Sequence, residues 1–305
     1  MSTKKAPMEP KKGKKTTSRP FKEANKPEKS FKKASKSPRQ DRAKDIRKPS
    51  DSLSPPRDSY FLWGHHALQA ALRNHKRRIK ALYCTADAQD KLMMMMQKLA
   101  PERKGAMPDV KIVDRYLIDH IDTDGGKAVH QGLVAAVAPL ENPHLESLLE
   151  ALDPERPQRF MVLDHVSDPR NIGAILRSAR AFGTSAIILQ DRHAPEETGT
   201  LARTAVGALE DVAMIKVVNL ARAIDQLKHH FFHIAGLDMD GTADTARAAN
   251  ADRLALVMGS EGKGMRRLIH QACDEILAIE MQDNSESLNV SVAAAIMMHS
   301  TQSST

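Results

Sequence analysis

The sequence lacks the features of a secreted or membrane-spanning protein. Its 305 residues include only two cysteines, Cys84 and Cys273, which lie far apart and do not have the spacing of a metal site. No apolar run approaches the ~20 residues that cross a bilayer, and the first residues contain no apolar stretch typical of a secretory signal. We therefore expect a protein of the reducing cytoplasm, long enough for two domains and a tail.

Positive charge is concentrated in the first 57 residues. They contain 19 Lys and Arg but only 6 Asp and Glu, a net charge of +13, whereas residues 58–305 contain 27 basic and 32 acidic side chains. The same segment has half of the 16 prolines and few aromatic or β-branched residues, too little apolar surface to offset the entropy of ordering. We predict a disordered basic tail that contacts nucleic-acid phosphates. A tail that only aids solubility is the alternative.

Residues 58–140 have the pattern of a small α/β domain. Helical spacing of apolar residues and extended runs follow one another there, and residues 141–158 are predicted to form a short helix and a proline-flanked linker. The predicted elements are helices near residues 67–72 and 89–99, and strands at 79–84, 110–113 and 129–140.

Residues 159–305 alternate regularly between strands and helices, which indicates an α/β domain with a mostly parallel sheet covered on both faces. Strands are predicted at 159–166, 185–190, 212–217, 233–237, 253–259 and 275–281. Helices are predicted at 172–182, 199–208, 220–230, 265–271 and 288–299. Ligands of such sheets bind in loops beyond the carboxyl ends of the strands, so three loops are candidates for chemistry.

The first loop lies within "LDHVSDPRNIGAILRSARAFG". Asp168 and Pro169 fix a turn, and Asn171 occupies the position expected of a helix N-cap. Arg177 follows at a spacing that allows it to face the same side as Asn171. An ordinary capped helix that presents Arg177 and Arg180 to solvent is the alternative.

The second loop, "GSEGKGM", follows a strand and precedes a helix. Its glycines do not match a dinucleotide fingerprint, and Lys263 is followed by Gly264 rather than by Ser or Thr, so it is not a phosphate-binding P-loop. Glu261 would oppose a phosphate anion. The loop therefore fits backbone contact with a neutral or zwitterionic ligand, and a purely structural loop remains the alternative.

The third loop is "EMQDNSESLNVS", in which Glu280 and Met281 end a predicted strand. Ser285 or Ser287 is expected to cap the last helix, with Leu288 packed inside. A terminal core helix explains the apolar residues that follow, but not the density of hydrogen-bonding side chains at its start.

Two other clusters have simpler explanations. "HHFFH", residues 229–233, is expected to be a helix end that runs into a core strand, and we expect no metal site there or elsewhere. "NHKRR", residues 74–78, is expected to be a solvated loop, or a phosphate contact if the small domain holds RNA.

Together and in this order, the three loops resemble the motifs of the SpoU (TrmH) family of RNA ribose 2′-O-methyltransferases, within the SPOUT superfamily. The similar stretches are "DPRNIGAILRSARAFG", "LVMGSEGKGM" and "IEMQDNSESLNVSVAAAI". The likeness covers residues 159–305. "WGHHALQAAL" and "VHQGLVAAV" also resemble the substrate-binding domain of a bacterial subgroup that modifies a guanosine of 23S ribosomal RNA.

The resemblance implies a deep trefoil α/β knot, in which the C-terminal segment passes through a loop and S-adenosylmethionine binds against the knotted loops. It also implies an RNA substrate and a homodimer that meets at the knot. Carried onto this sequence, it places cofactor contacts, mostly through backbone, at Met258, Gly259, Ile279, Met281 and Leu288. It places Asn171, Arg177, Glu261, Ser287 and Asn289 around the reaction centre.

The family assigns the base role to the arginine that corresponds to Arg177. A guanidinium stays protonated at ordinary pH, so Arg177 could instead orient a phosphate and stabilise a developing alkoxide. Asn171 would orient the ribose, and Glu261 would hold the loop or Arg177. The chain has Glu280 where the family often has proline, and we expect cofactor binding to survive this difference. A tRNA substrate, or a non-catalytic RNA-binding or ribosome-assembly factor, remains an alternative.

Overall fold

The computed structural model describes residues 53–99, 108–121, 123, 128–282 and 287–302. Residues 1–52, which form most of the predicted basic tail, lie outside the described residues, as does Ser285, one of the two expected helix caps. No helix within the described ranges is long and apolar enough to cross a membrane.

A four-stranded mixed sheet is built from the first part of the described chain. Its strand order is β1-β4-β2-β3, with β4 antiparallel to both neighbours and β2 parallel to β3. Its elements are β1 (Tyr60–Trp63), α1 (His65–Arg73), β2 (Ile79–Cys84), α2 (Gln89–Leu99), β3 (Val110–Ile112), α3 (Arg115–Asp119) and β4 (Leu133–Val137). The sequence pattern predicted α2 correctly and missed β1 and α3.

A six-stranded sheet follows, and each pair of neighbouring strands in it is parallel, in the order β10-β8-β9-β5-β6-β7. The predicted α/β fold with a mostly parallel sheet is therefore confirmed. The strands are β5 (Gln158–Leu163), β6 (Ala186–Gln190), β7 (Ala213–Val217), β8 (His233–Thr242), β9 (Arg253–Met258) and β10 (Glu275–Leu277). The helices are α4 (Leu145–Glu150), α5 (Pro169–Ala181), α6 (Gly199–Ala205), α7 (Leu220–His229), α8 (Ala246–Ala249), α9 (Arg267–Gln271) and α10 (Val290–Ser300).

Both faces of this sheet are covered, which explains why its strands are apolar at nearly every position. Met161 and Leu163 of β5 point into one buried cluster, which includes residues of α5, α6 and α10. Phe160 and Val162 point into a second cluster on the opposite face, with residues of α4, α7 and α9. Parallel strands with helices on both faces leave the carboxyl edge of the sheet open for a site.

The loop "NHKRR" is not simply solvated, as the sequence suggested. Arg77 is 1% exposed, and its guanidinium lies 3.0 Å from Glu197 and 2.8 Å from Glu210, two residues that flank α6. Arg77 also donates to the carbonyl of Ala138 at 2.8 Å. The prediction was wrong for Arg77 because its charge is neutralised by acidic residues more than 100 positions away, which no local pattern reveals.

Three predicted element ends also differ from the structure. Helix α5 begins at Pro169 because Asp168, not Asn171, is its N-cap, with its carboxylate accepting from the backbone N of Arg170 at 2.8 Å. Strand β10 ends at Leu277, before Met281, since its register against β8 shifts at that point. Helix α10 begins at Val290 and is capped by Asn289, not by Ser287.

Candidate functional site

A cavity of about 460 Å³ opens at the carboxyl edge of the six-stranded sheet, where β8, β9 and β10 end side by side. Seven of the ten predicted site residues line it: Met258, Gly259, Glu261, Ile279, Met281, Ser287 and Leu288. All five predicted cofactor contacts are among them. The second and third sequence motifs therefore meet in one cavity, as the resemblance implied.

The loop after β9, residues 259–264, folds back on itself to form one wall. Gly264 donates from its backbone N to the carbonyl of Ser260 at 2.9 Å, and Gly262 and Gly264 have φ of 81° and 64°. A Cβ on Gly259 would lie 1.9 Å from the carbonyl carbon of Gly264. Glycine is therefore required at position 259 for the loop itself to close, before any ligand approaches.

The segment after β10 forms a second wall. Ala278 donates its backbone N–H to the carbonyl of Thr242 at 2.7 Å, and a Cβ on Gly241 would lie 2.5 Å from the carbonyl carbon of Leu277. Two backbones thus pack in contact where β8 and β10 end. Ile279 and Met281 follow in this segment, half-buried and facing the cavity.

The end of β8 supplies a third wall that the sequence motifs did not identify. Leu237, Asp238 and Met239 line the cavity, and the Asp238 carboxylate accepts from the backbone N of Met239 at 2.7 Å. Position alone could have identified them, because β8 neighbours β9 and β10 and ligands bind beyond the carboxyl ends of strands.

The charges on the cavity wall distinguish between classes of ligand. Asp238 and Glu261 are acidic and Lys263 is basic, so the lining carries one more negative than positive charge. Such a wall disfavours a phosphate inside the cavity and favours a ligand there that has cationic groups. Among the described residues, no group of three or more His, Cys, Asp or Glu side chains could hold a metal ion.

Asn171 and Asn289 lie together next to this cavity, although neither lines it. The side-chain amide of Asn289 donates to the Asn171 oxygen at 3.2 Å, joining the first turn of α5 to the start of α10. The Asn289 oxygen also accepts from the backbone N of Ser291 at 2.9 Å. The first and third sequence motifs are therefore joined by a direct hydrogen bond two residues after Ser287.

Arg177 lies six residues beyond Asn171 on α5 and is exposed. It does not line the cavity, and no hydrogen bond or ion pair to another described residue holds its guanidinium. Arg180, on the same helix, differs in this respect because it pairs with Asp211 at 3.0 Å. Arg177 is therefore available to a ligand that extends beyond the cavity.

An ion pair between the buried Asp164 and the half-exposed Arg266, which the sequence did not predict, holds the loop after β9 in place. Asp164, at the end of β5, is 0% exposed and accepts from the Arg266 backbone N at 2.8 Å and from its Nε at 2.9 Å. The Asp164 backbone N donates to the carbonyl of Met258 at 2.7 Å. These bonds fix the loop after β9 against β5, and so fix the first two motifs relative to each other.

Comparisons of the sequence with known families match both parts of the described chain. Residues 158–299 match the SpoU rRNA Methylase family, and residues 61–143 match a family described as RNA 2'-O ribose methyltransferase substrate binding. The chain is 36% identical over 244 residues to the 23S rRNA (guanosine-2'-O-)-methyltransferase RlmB of Escherichia coli K12, covering 79% of this chain and 96% of that protein. It is 37% identical over 191 residues to a putative TrmH family tRNA/rRNA methyltransferase of Staphylococcus haemolyticus, covering 62% and 75% of the two chains.

Solved structures with the same fold include two that contain AdoMet. The SpoU methyltransferase AviRb from Streptomyces viridochromogenes, in complex with AdoMet, has a TM-score of 0.63 at 19% identity, covering 80% of this chain and 89% of that one. An AdoMet-bound rRNA methyltransferase from Sinorhizobium meliloti has a TM-score of 0.60 at 21% identity, covering 80% and 87%. At such identities the likeness concerns the fold alone.

Proposed function

The chain belongs to the SpoU rRNA methylase family, and from that premise we propose that it methylates a ribose 2′-hydroxyl of a guanosine in 23S rRNA, using S-adenosylmethionine. One observation carries the proposal: the 36% identity extends over 96% of a relative named for this reaction. We also propose that the protein acts in the cytoplasm.

The cavity at the carboxyl edge is the proposed site for S-adenosylmethionine, and its residues fit that ligand. Its volume of about 460 Å³ suits a small-molecule ligand, and its excess of one negative charge complements a cofactor with a sulfonium and an ammonium group. The cofactor supplies an already activated methyl group. We assign its contacts to Met258, Gly259, Ile279, Met281 and Leu288.

We place the target ribose between this cavity and the Asn171–Asn289 pair. The 2′-oxygen forms a bond to the methyl carbon as the carbon–sulfur bond breaks, and the hydroxyl proton is lost. Asn171 and Asn289 would orient the ribose, since their hydrogen bond lies at the meeting point of two motifs. Ser287 and Glu261 border the same space and would hold the sugar and the loop.

Arg177 is the proposed residue for the charge that develops on the RNA. Its guanidinium cannot accept the hydroxyl proton at ordinary pH, because it is already protonated. It can bind a phosphate with two parallel hydrogen bonds and stabilise the developing alkoxide. Its exposure and its lack of a described partner support this role.

Transfer of a tritiated methyl group from S-adenosylmethionine to RNA tests the function. Wild type should label ribosomal RNA, whereas Arg177→Ala should lose about 100-fold or more in turnover with unchanged cofactor affinity. Labelling of tRNA but not ribosomal RNA would favour the tRNA alternative. Cofactor binding by wild type without any transfer would favour a non-catalytic RNA-binding or ribosome-assembly factor.

We also propose a separate function for each part of the chain. Residues 58–140 would hold the RNA substrate, residues 141–158 would link the two domains, and residues 159–305 would carry the methyl transfer. The match of residues 61–143 to a substrate-binding family supports the first assignment. The basic tail, residues 1–57, would add contacts to phosphates because its net charge is +13.

We further propose the knotted form of this fold. The segment that follows β10 passes in backbone contact with Gly241 and Thr242 before α10 returns against α5. A chain end drawn through the loops that line the cavity would have this close packing. A threaded end would also explain why the second and third motifs form one cavity.

A homodimer that meets at α10 is the proposed assembly. Helix α10 is mainly apolar, and two of its apolar residues, Val292 and Ile296, are 47% and 38% exposed in the single chain. Ile296→Glu should yield a monomer in light scattering without a loss of helical signal, while Glu280→Gln, on an exposed position outside α10, should leave the dimer intact. A monomeric wild type would contradict the proposal.

A further inference from the structure

Two histidine rings lie against each other, tilted, beside the candidate site, and no sequence motif accounts for them. His165 follows β5 and His193 follows β6, the next strand in the sheet. Their ring centroids lie 4.4 Å apart, with 42° between the ring planes. The pair therefore lies at the carboxyl edge of the sheet, where loops carry ligand contacts.

His165 is held at this place in an unfavourable backbone conformation. Its φ is 60°, in the left-handed region that costs free energy for a residue with a side chain. The ring does not gain deep burial in return, because the side chain is 39% exposed. Strained residues of this kind cluster at functional sites, and glycine would satisfy the turn without strain.

The surroundings of His165 favour the neutral form of its ring. Burial, although partial, lowers its pKa most, and the cations Arg266 and Lys263 lower the pKa further, while Asp164 opposes them. Asp164 is already engaged by Arg266. Two flat aromatic rings near Lys263 suit a nucleotide, whose base can stack while its phosphate meets a cation.

The pair also lies next to the reaction centre. His165 precedes Pro169, the first residue of α5, by four positions, and Asn171 is in the first turn of that helix. Lys263, which acts on the His165 pKa, lines the cavity as well. An RNA strand whose ribose reaches the Asn171–Asn289 pair would therefore pass close to the two rings.

We propose that His165 and His193 form a binding surface for the RNA substrate, on which a base near the target ribose stacks. Lys263 contacts the phosphate of the same or the adjoining nucleotide. This inference rests on the proposed function and deepens it, because it assigns a role to two histidines outside the three motifs.

The experiment replaces His165 by the residue that its backbone conformation favours. His165→Gly removes the ring and relieves the strain, so the melting temperature should stay the same or rise. Affinity for an unmodified transcript of 23S rRNA, measured by filter binding, should fall about tenfold. The salt dependence of binding should keep its slope, since the variant leaves the phosphate contact of Lys263 in place. Cofactor affinity should not change.

His193→Ala provides a second, independent variant, and His229→Ala is the matched control. His193→Ala should weaken RNA binding to the same degree, and the double variant should be little worse, because the rings form one surface. His229 is an exposed histidine at the end of α7, on the opposite edge of the sheet, and its loss should have no effect.

Wild-type RNA affinity in both His165→Gly and His193→Ala would overturn the inference and leave the pair as a packing contact. The affinity comparison does not depend on catalysis. Failure of the wild type to transfer methyl groups would therefore refute the proposed function, while the RNA affinities of the variants would still decide the role of the histidines.

Discussion

At the scale of single residues, the cavity depends on two glycines at which the backbone packs closely. The backbone at Gly259 lies so close to Gly264 that a methyl group would overlap a carbonyl carbon, and Gly241 approaches Leu277 in the same way. The first contact closes one wall of the cavity, and the second joins the end of β8 to the wall that follows β10. A side chain at either position would push these backbones apart, so glycine is needed at both.

Gly259→Ala should abolish cofactor binding, because the added Cβ would lie 1.9 Å from the Gly264 carbonyl carbon and the loop could not close. Isothermal titration with S-adenosylmethionine measures the effect. Gly183→Ala is the control, since an added Cβ there would meet no described neighbour within 4 Å, although Gly183 has a positive φ of 74°. Cofactor affinity near that of wild type in Gly259→Ala would contradict this account of the loop.

Arg77→Leu should lower the free energy of unfolding by about 3–5 kcal/mol, since it leaves Glu197 and Glu210 buried without their cation. Urea unfolding followed by circular dichroism gives the value. Arg78→Leu removes an exposed pair with Glu141 and should cost less than about 1 kcal/mol. Equal losses of stability in the two variants would show that burial does not raise the cost of removing the arginine.

The sequence could predict the residues of the site where they lie within a continuous motif. Gly259, Glu261 and Leu288 belong to such motifs and line the cavity. Asp164 and Arg77 could not be assigned in this way, because their partners are distant in the chain. No sequence pattern indicated the proposed role of His165 either, because that role depends on its backbone angle and on a contact with His193 from another loop.

At the scale of elements, alternation of apolar runs was enough to predict the parallel sheet, but not the ends of its elements. Strand β10 is shorter than its apolar run because its pairing with β8 jumps from Gly236 to Thr242 between Ile276 and Leu277, which breaks the regular ladder. Helix α5 is longer than predicted because a proline fits its first position after the Asp168 cap. Both outcomes depend on hydrogen bonds rather than on hydropathy.

Removal of the chain from Leu288 onward should cost the fold, the dimer and activity together. Helix α10 buries Val290, Ala294, Met297 and Met298 against α5 and the sheet, and its loss would expose that face. Circular dichroism and size-exclusion chromatography report the outcome, with a chain ending at Gln302 as the control. A folded, cofactor-binding protein without α10 would contradict the proposed threading.

At the scale of the whole molecule, charge separates two tasks. Residues 1–57 carry a net charge of +13, whereas residues 58–305 have 27 basic and 32 acidic side chains. General attraction to RNA would therefore come mainly from the tail. The folded domains, with Arg177, His165 and His193, would select the target. This division predicts different salt responses for different variants.

Deletion of residues 1–57 should weaken RNA binding and flatten its dependence on salt, because each lost phosphate contact lowers the slope of log K against log salt by about 0.7–0.9. Filter binding at several salt concentrations gives the slope. Cofactor affinity should stay the same, since the cavity is formed by residues 237–293. An unchanged slope would leave the tail without the proposed role.

The most direct test of the proposed function is a map of 2′-O-methyl groups in 23S rRNA from cells with and without this protein. We predict that one guanosine loses its 2′-O-methyl group when the protein is absent. The wild-type gene should restore the modification, and the gene for Arg177→Ala should not. An unchanged 23S rRNA map in cells that lack the protein would contradict the assignment.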